Sequence, residues 1–418
     1  MGYRKNRLRL PHFYRYLQRV FDFQRQIGQL NDFRIAPDVP TESLFEALFL
    51  CLLLRLGSFR ALEFEITHGP AKKVWRHRTP FAINTLRHGL EHFETECLDE
   101  MLRSTCRKMK RSKMLSDTIG GLHVAAIDGT EYYRSAVISC SNCMEVHLAN
   151  GTAQYVHRAV LLQHVGGTLK PFLAAEPILP KDPHPWEKEA GHEGELTAAK
   201  RLVDKTIEAY GKRFVDVLTA DALYMNQPFV RHCLQHGIDL VARVKDERTD
   251  LYQEIQALSA LVKPITDYDR QAGVAYTIYE IPDLHLSLDW DIPLRGFQII
   301  ETDAKGTQTF LCATTNHTRE ADVIRRIVHL KWRIENNGNK DLKDNWHVEH
   351  NFHHHDVATW AILLTLLLVY NYFYAFVYRH LKTYRIYHLT IQQIMDEFKC
   401  SFFSLIYPLP WARWVMTP

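Results

Sequence analysis

Residues 122–130, LHVAAIDGT, decide how this chain is read. An apolar run over 122–127 stops at Asp128-Gly129-Thr130. A short apolar run closed by a turn signal is a buried strand that delivers an acid at its end. Downstream, residues 158–166 and 169–178 read as two more strands, joined as a hairpin at Gly166-Gly167. Residues 193–210 are helical, with Leu196, Ala199, Leu202, Val203 and Ile207 on one face. A strand over 214–218 leads to Ala220-Asp221, a helix follows over 227–235, and a strand over 238–244. Residues 249–315 alternate and carry turn signals, which predicts a mostly β insertion. The helical period returns near Arg319 and runs on, interrupted around residues 336–345.

Three strands, helix, strand, helix, strand is the outline of an RNase H-like fold. The expected class is therefore α/β, with an RNase H-like catalytic core interrupted by the β insertion. A helical N-terminal domain and a helical C-terminal segment flank it. The expected boundaries are 1–115 (helical, DNA-binding), 116–248 (first part of the core), 249–315 (insertion) and 316–418. Upstream, Thr41 or Ser43 is expected to cap a helix to about Leu56, with Glu46 completing a capping box from Ser43. Gly57-Ser58 makes a turn before a helix to about Thr67, and Thr79-Pro80 starts one to about Arg103. Short helices with tight turns and basic flanks suit a DNA-binding module, and they equally suit a plain helical bundle.

The composition agrees with a folded chain of two or three units: 418 residues, 46% hydrophobic and 24% charged. That excludes a mainly disordered chain, a collagen-like chain and a small disulfide scaffold. The net charge is only +3, but seven Lys/Arg stand against one acid in residues 1–25, Arg4 and Lys5 among them. Residues 103–113 hold six Lys/Arg and no acid, including Arg107, Lys108, Lys110 and Arg111. Such clusters suit phosphate contacts or a solvated face. Eight cysteines in 418 residues, and a basic N-terminus broken by Pro11, point to a reduced cytoplasm. Residues 360–377 carry no charge over 18 positions, enough for a membrane span, yet Asn371 and three tyrosines interrupt them. A buried core helix is the expected reading, with no membrane partner; a membrane-anchored protein is the alternative.

The chemistry rests on Asp128, Asp221 and Glu335. In the expected topology the first and fourth strand ends are neighbours and a late helix packs across them. Three carboxylates then meet where hard divalent cations need oxygen ligands for two-metal phosphoryl transfer. The wording around them is AAIDGTEYYRS (125–135), LTADALYMNQPF (218–229) and KWRIENNGNKDLK (331–343), with EHNF at 349–352. These motifs, in this order, resemble the DDE transposases of bacterial insertion sequences, in the IS4-like group with an RNase H-like core. CSNC at 140–143, YVHRAV at 155–160, GELTAAKRL at 194–202 and LVARVK at 240–245 fit a subgroup of it, and the resemblance spans about residues 40–370.

The resemblance implies that Asp128, Asp221 and Glu335 are catalytic and hold two Mg²⁺, with Mn²⁺ as a substitute. It implies double-stranded DNA partners, both terminal inverted repeats and target, and a homodimer on DNA. This sequence departs from the pattern. Relatives carry Tyr seven and Arg four residues before the Glu, and Lys seven after; here stand Val328, Lys331 and Leu342. Lys331 and Lys343 are the expected phosphate contacts, although eight residues of helix turn Lys343 off the Glu335 face unless Gly338 and its asparagines break the helix. A second Glu expected two residues after the first is Asn337, and Glu349 is the fallback acid. The departures keep open an alternative, a catalytically inactive transposase-derived DNA-binding protein.

Cys140 and Cys143 have a metal-like spacing, and with His147 and His157 they make a candidate Zn²⁺ knuckle. Two ordinary thiols near a hairpin are the competing reading. Trp290, in the insertion, has the chemistry to stack on a flipped base, or simply to pack. Trp332 and Trp346 read as helix packing, and His353–His355 as exposed polar residues or DNA-backbone contacts.

Overall fold

The computed structural model describes residues 10–68, 81–181, 192–284, 290–381 and 389–404. Helices come first: α1 (Leu10–Phe21), α2 (Phe23–Ile27), α3 (Thr41–Leu53), α4 (Phe59–Thr67), α5 (Ile83–Glu91) and α6 (Thr95–Arg111). Then come β1 (Val124–Ser135), β2 (Met144–His147), β3 (Ala153–His164), β4 (Phe172–Ile178), α7 (Glu195–Tyr210), β5 (Val217–Ala220), α8 (Gln227–Gln235) and β6 (Asp239–Val244). A helix α9 (Asp250–Ser259) precedes β7 (Ile265–Asp269), β8 (Val274–Leu284), β9 (Leu294–Asp303) and β10 (Gly306–Thr314). The last described elements are α10 (Ala321–Ile334), α11 (Lys340–Asp344), α12 (Asp356–Arg379) and α13 (Ile391–Ser404). It is a mixed α/β fold.

All ten strands join one sheet, in the order β2-β3-β1-β5-β6-β10-β9-β8-β7, with β4 pairing β3 as well. β1 is antiparallel to β3 and parallel to β5, and β5 is parallel to β6. The parallel strands are buried on both faces, and their residues follow suit: Val124-Ala-Ala-Ile127 and all of β5 are buried.

β1 does not stop at Asp128. Its parallel ladder with β5 ends at Ala126↔Thr219, while its antiparallel ladder with β3 continues through Asp128↔Leu161 to Ser135. β3 supplies backbone partners that no local turn signal reports, so Asp128-Gly129-Thr130 stays extended. What does end is β5, at Ala220. Asp128 and Asp221 each lie two residues beyond the last parallel pair, and so stand side by side.

Residues 249–315 are less separate than the sequence suggests. They hold α9 and four antiparallel strands, but β10 pairs directly with β6, from Leu311↔Val244 to Thr314↔Val241. An open strand edge at β6 has unpaired N–H and C=O groups, and β10 covers them. The insertion therefore lengthens the sheet.

The N-terminal helices pack on α12, which contacts α1, α3, α5, α6 and β4. α12 is long and apolar enough to cross a membrane, and 89% of its most apolar stretch is buried inside the protein. The polar residue that interrupts it has a clear task. The fully buried Asn371 accepts from the Phe172 N–H and donates to the Phe172 C=O, both at 2.8 Å. Its amide acts as one more strand residue on the edge of β4. Asn371→Leu removes the Phe172 N–H's side-chain acceptor and leaves its carbonyl only the Cys106 thiol, at 3.3 Å. The expected cost is about 2–4 kcal/mol, read by urea denaturation.

Three local expectations need correction. The helix expected from Pro80 to Arg103 starts outside the described residues and is split between α5 and α6. The split comes from a bridge between Asp32 and Phe93, with the Phe33 N–H donating to the His92 carbonyl and Glu94 N–H to Asn31. Neither Thr41 nor Ser43 caps α3: Pro40 holds that position, and the Thr41 hydroxyl donates to Asp32 at 2.6 Å. α3 is also buried almost all round, so it presents no helix face to DNA. The helix after Gly57-Ser58 is as expected, and Ser58, read as part of a turn, caps it by accepting from the Ala61 N–H.

Candidate active site

α10 crosses the carboxyl ends of β1, β5 and β6. Its anchor is Arg325, buried between Asp269 of β7, Glu301 of β9 and its own Asp322, at 2.7–3.0 Å. The lengthened sheet thus holds the helix that carries Glu335.

Lys331, Glu335 and Asn339 sit four residues apart, which puts them on one helix face. That face meets the two strand ends. Lys331 Nζ lies 3.1 Å from Asp128 Oδ1, 2.8 Å from Asp221 Oδ2 and 2.5 Å from Glu335 Oε1. Three carboxylates from distant parts of the chain converge on one ammonium that is 2% exposed. Asn339 Nδ2 donates to the other Asp128 oxygen at 2.8 Å, and Lys245 Nζ lies 3.2 Å from Asp221 Oδ1.

The helix widens to a π turn over Glu335–Asn339 before α11 resumes. Gly338 permits this: a Cβ there would stand 2.5 Å from Gln163 Oε1 of β3. Tyr370 of α12 donates to the Asn337 carbonyl at 2.6 Å. A π turn re-aims the residues after it. Lys343 is nevertheless not brought to Glu335. It pairs with Glu349 at 2.6 Å, beside Arg55 and His347 in a different cleft.

Burial pushes the Asp128 carboxyl up to about 6; Lys331 pulls it down, and Asp221 and Glu335 push it up further. Burial also raises Asp221, but Lys331 and Lys245 outweigh it and hold that carboxyl below its ordinary range. Lys331 itself is desolvated, yet the acids keep it charged well above its usual range. A carboxyl raised in the folded state holds a proton that the unfolded chain releases. Its contribution to stability is full below about pH 4 and lost as pH rises through about 6. A divalent cation must compete with that proton. The affinity of any divalent cation these acids hold, measured by titration calorimetry, should therefore be weaker at about pH 5 than at about pH 7.5.

Residues 187–372 match the family model of the transposase DDE domain. Over those residues the chain is similar to the transposase DDE domain. No curated protein matches the chain in sequence. In three dimensions it is similar to the cryo-EM structure of a piggyBac transposase synaptic complex with hairpin DNA. The TM-score is 0.43 at 9% identity, over 96% of this chain and 82% of that one.

The matched residues include Asp221, Lys245, Lys331, Glu335 and Asn339; Asp128 precedes them and stands beside Asp221 through the pairing of β1 with β5. Sequence reasoning missed Asn339, although its spacing from Glu335 marks the same helix face. It also missed Lys245, the last residue of LVARVK. Glu195 is a further acid close by. A Cβ on Gly129 would stand 2.3 Å from its carboxylate, and Tyr224 donates to it at 2.6 Å.

Outside the DDE domain, the basic run on α6 is mostly spent on the protein. Arg107 donates to the Ala209 carbonyl and pairs with Glu100, Lys108 donates to the Phe21 carbonyl, and Lys110 to the Arg213 and Phe214 carbonyls. Of these four only Arg111 is exposed, so they do not form one phosphate-gripping face. Carbonyls at loop ends compete for ammonium and guanidinium groups, which a count of charges cannot register. Arg4 and Lys5 lie outside the described residues.

Trp290 donates to the Ile292 carbonyl at 2.7 Å and is partly buried. Trp346 is buried among Tyr370, Phe373 and Tyr374, whereas Trp332 is 37% exposed under the Arg243 guanidinium. The histidine run is held from within: His353 pairs with Glu91 and His355 with Asp356. His354 lies beside Cys143.

Proposed function

We propose that this chain is a DDE transposase that cleaves DNA at the ends of its own mobile element and joins them to a target. One observation carries the reading: Asp128, Asp221 and Glu335 converge on a single cation, Lys331 Nζ. The strand order β4-β3-β1-β5-β6, with one acid just past the last β1–β5 pair on each strand and a helix across them, supports an RNase H-like catalytic core. The matched DDE domain supports the same reaction class.

The donor set fits magnesium, because every ligand is a carboxylate oxygen and the shared point already draws positive charge. Held by Asp128, Asp221 and Glu335, Mg²⁺ would supply activation of a water or 3′-hydroxyl and charge neutralisation at the leaving oxygen. The chain's own residues do the rest. Asp128, Asp221 and Glu335 hold the metal ligands in place from a rigid sheet and helix. Lys331 compensates their charge in the free protein and moves to a DNA phosphate when metal and substrate enter. Lys245, exposed beside Asp221, takes a neighbouring phosphate. The partners are double-stranded DNA at the terminal repeats and at the target, bound by a homodimer, since two ends are cut and joined together. The proposed place of action is the cytoplasm.

A second reading has its own observation. Lys331 and Asn339 engage both oxygens of Asp128, and Lys331 and Lys245 both oxygens of Asp221. A protein in which those bonds never release is a DNA-binding derivative without cleavage. The assay is purified protein with DNA flanking its own gene, in Mg²⁺, Mn²⁺ or EDTA. Metal-dependent cuts at fixed sites support the transposase. Specific binding without cuts in any metal supports the inactive derivative.

A further inference from the structure

The loop after β1, the strand β3 and the segment before α12 bring four metal-ligating atoms together, away from the acids. Cys140 Sγ lies 3.9 Å from Cys143 Sγ and 3.2 Å from His157 Nε2. Cys143 Sγ lies 3.4 Å from His157 Nε2 and 3.5 Å from His354 Nε2. All four ligand atoms fall within 4.8 Å of one another. For bond lengths of about 2.3 Å to sulfur and about 2.05 Å to nitrogen, a tetrahedron has S–S edges of about 3.8 Å and S–N edges of about 3.5 Å. The observed spacings match those edges. They do not match a disulfide, whose sulfurs stand about 2.05 Å apart.

The surroundings are built for such a site. The Cys143 N–H donates to the Cys140 carbonyl at 3.1 Å, closing a tight turn, and the Cys140 N–H points to Cys143 Sγ at 3.4 Å. His157 is 4% exposed on β3, opposite Tyr133 in the ladder. Tyr133 stacks on the His354 ring at 4.2 Å between centroids, which fixes the plane of that imidazole. Ser141 donates to Asp356 at the start of α12. His147, the sequence's candidate ligand, is not there: it is exposed on β2 beside Glu145.

We propose that Cys140, Cys143, His157 and His354 form a structural zinc site that clips the segment between the Glu335 helix and α12 to the sheet. Two thiolates and two imidazoles select zinc over hard cations. Four protein ligands leave no open position, so the site is structural rather than catalytic. The clip ties the loop that follows the Asp128 strand to the segment that follows Glu335. It therefore links, through covalent chain, the two halves of the acid cluster.

The test is metal content of the full-length chain purified without chelator. About one zinc per chain is expected by mass spectrometry, and cobalt in its place should give the visible bands of tetrahedral thiolate coordination. Cys140→Ser with Cys143→Ser, and His354→Ala, should each lower the zinc content to about half or less of the parent value. His354→Cys should retain it, since it restores a ligand. Asp128→Ala should keep the zinc whether or not the chain cleaves DNA, which separates this site from the acid cluster. Zinc well below one per chain in the parent after zinc supplementation, with no cobalt bands, overturns the proposal. Full zinc in the double cysteine variant overturns it as well. If that variant does not fold, the cobalt spectrum of the parent and of His354→Cys decides.

Discussion

Asp128→Ala should abolish metal-dependent cleavage while leaving specific DNA binding close to the parent level. A metal ion held by carboxylates supplies several kcal/mol to a phosphoryl-transfer barrier. Losing one of the three carboxylate ligands should lower the cleavage rate by about a thousandfold or more. The variant should not fail through instability. Asp128 is a buried carboxyl pushed up to about 6, so at neutral pH its charge opposes folding. That rise of about two pH units, with the pull of Lys331 already included, corresponds to on the order of 3 kcal/mol. Thermal melting of the variant in EDTA should lie near the parent. Cleavage kinetics and melting, measured on the same preparation, check both halves. Persistent cutting by Asp128→Ala would remove Asp128 from the metal site.

Lys331→Met should have the opposite profile. Methionine keeps much of the length of the side chain and removes the charge, so three carboxylates face one another without a counter-ion. Removing one partner of a buried ion pair costs about 3–5 kcal/mol. That loss should appear in urea denaturation with EDTA and shrink when Mg²⁺ is added, because the metal supplies the missing charge. The parent should gain less from Mg²⁺, since there the metal must displace an ammonium. A loss well under 1 kcal/mol would show that Lys331 is not the counter-ion. Recovery absent at saturating metal would show that the acids do not bind it, which favours the inactive derivative. Cleavage by the variant then tells whether Lys331 also serves DNA: a lower rate with tighter metal binding is the signature of a phosphate contact.

The sequence by itself determined most of the order of strands and helices from Leu122 to Val244, missing β2 and ending β1 too early, and it singled out Asp128 and Asp221. Those signals are local. Apolar runs, a hairpin at Gly166-Gly167 and acids at turn positions are properties of neighbouring residues. The motif wording then placed Glu335 with them. The turn at Gly57-Ser58 and helix α4 after it were legible for the same reason.

The tertiary structure decided everything that depends on residues far apart in the chain. Lys331 reads as a surface phosphate contact until the fold places it 203 residues from Asp128 in sequence and at 3.1 Å in space. Asn339 reaches Asp128 across 211 residues, and His354 reaches Cys143 across the same separation, while the nearer His147 points away. α6 looks like a phosphate-binding run until the carbonyls of Phe21, Ala209 and Phe214 take its cations. β10 seals the edge of β6, and the supposed subdomain becomes more sheet. Asn371, an oddity in an apolar helix, becomes the partner of one strand residue. Each of these is a choice among polar partners made when distant elements pack, and no periodicity within a single element carries that information.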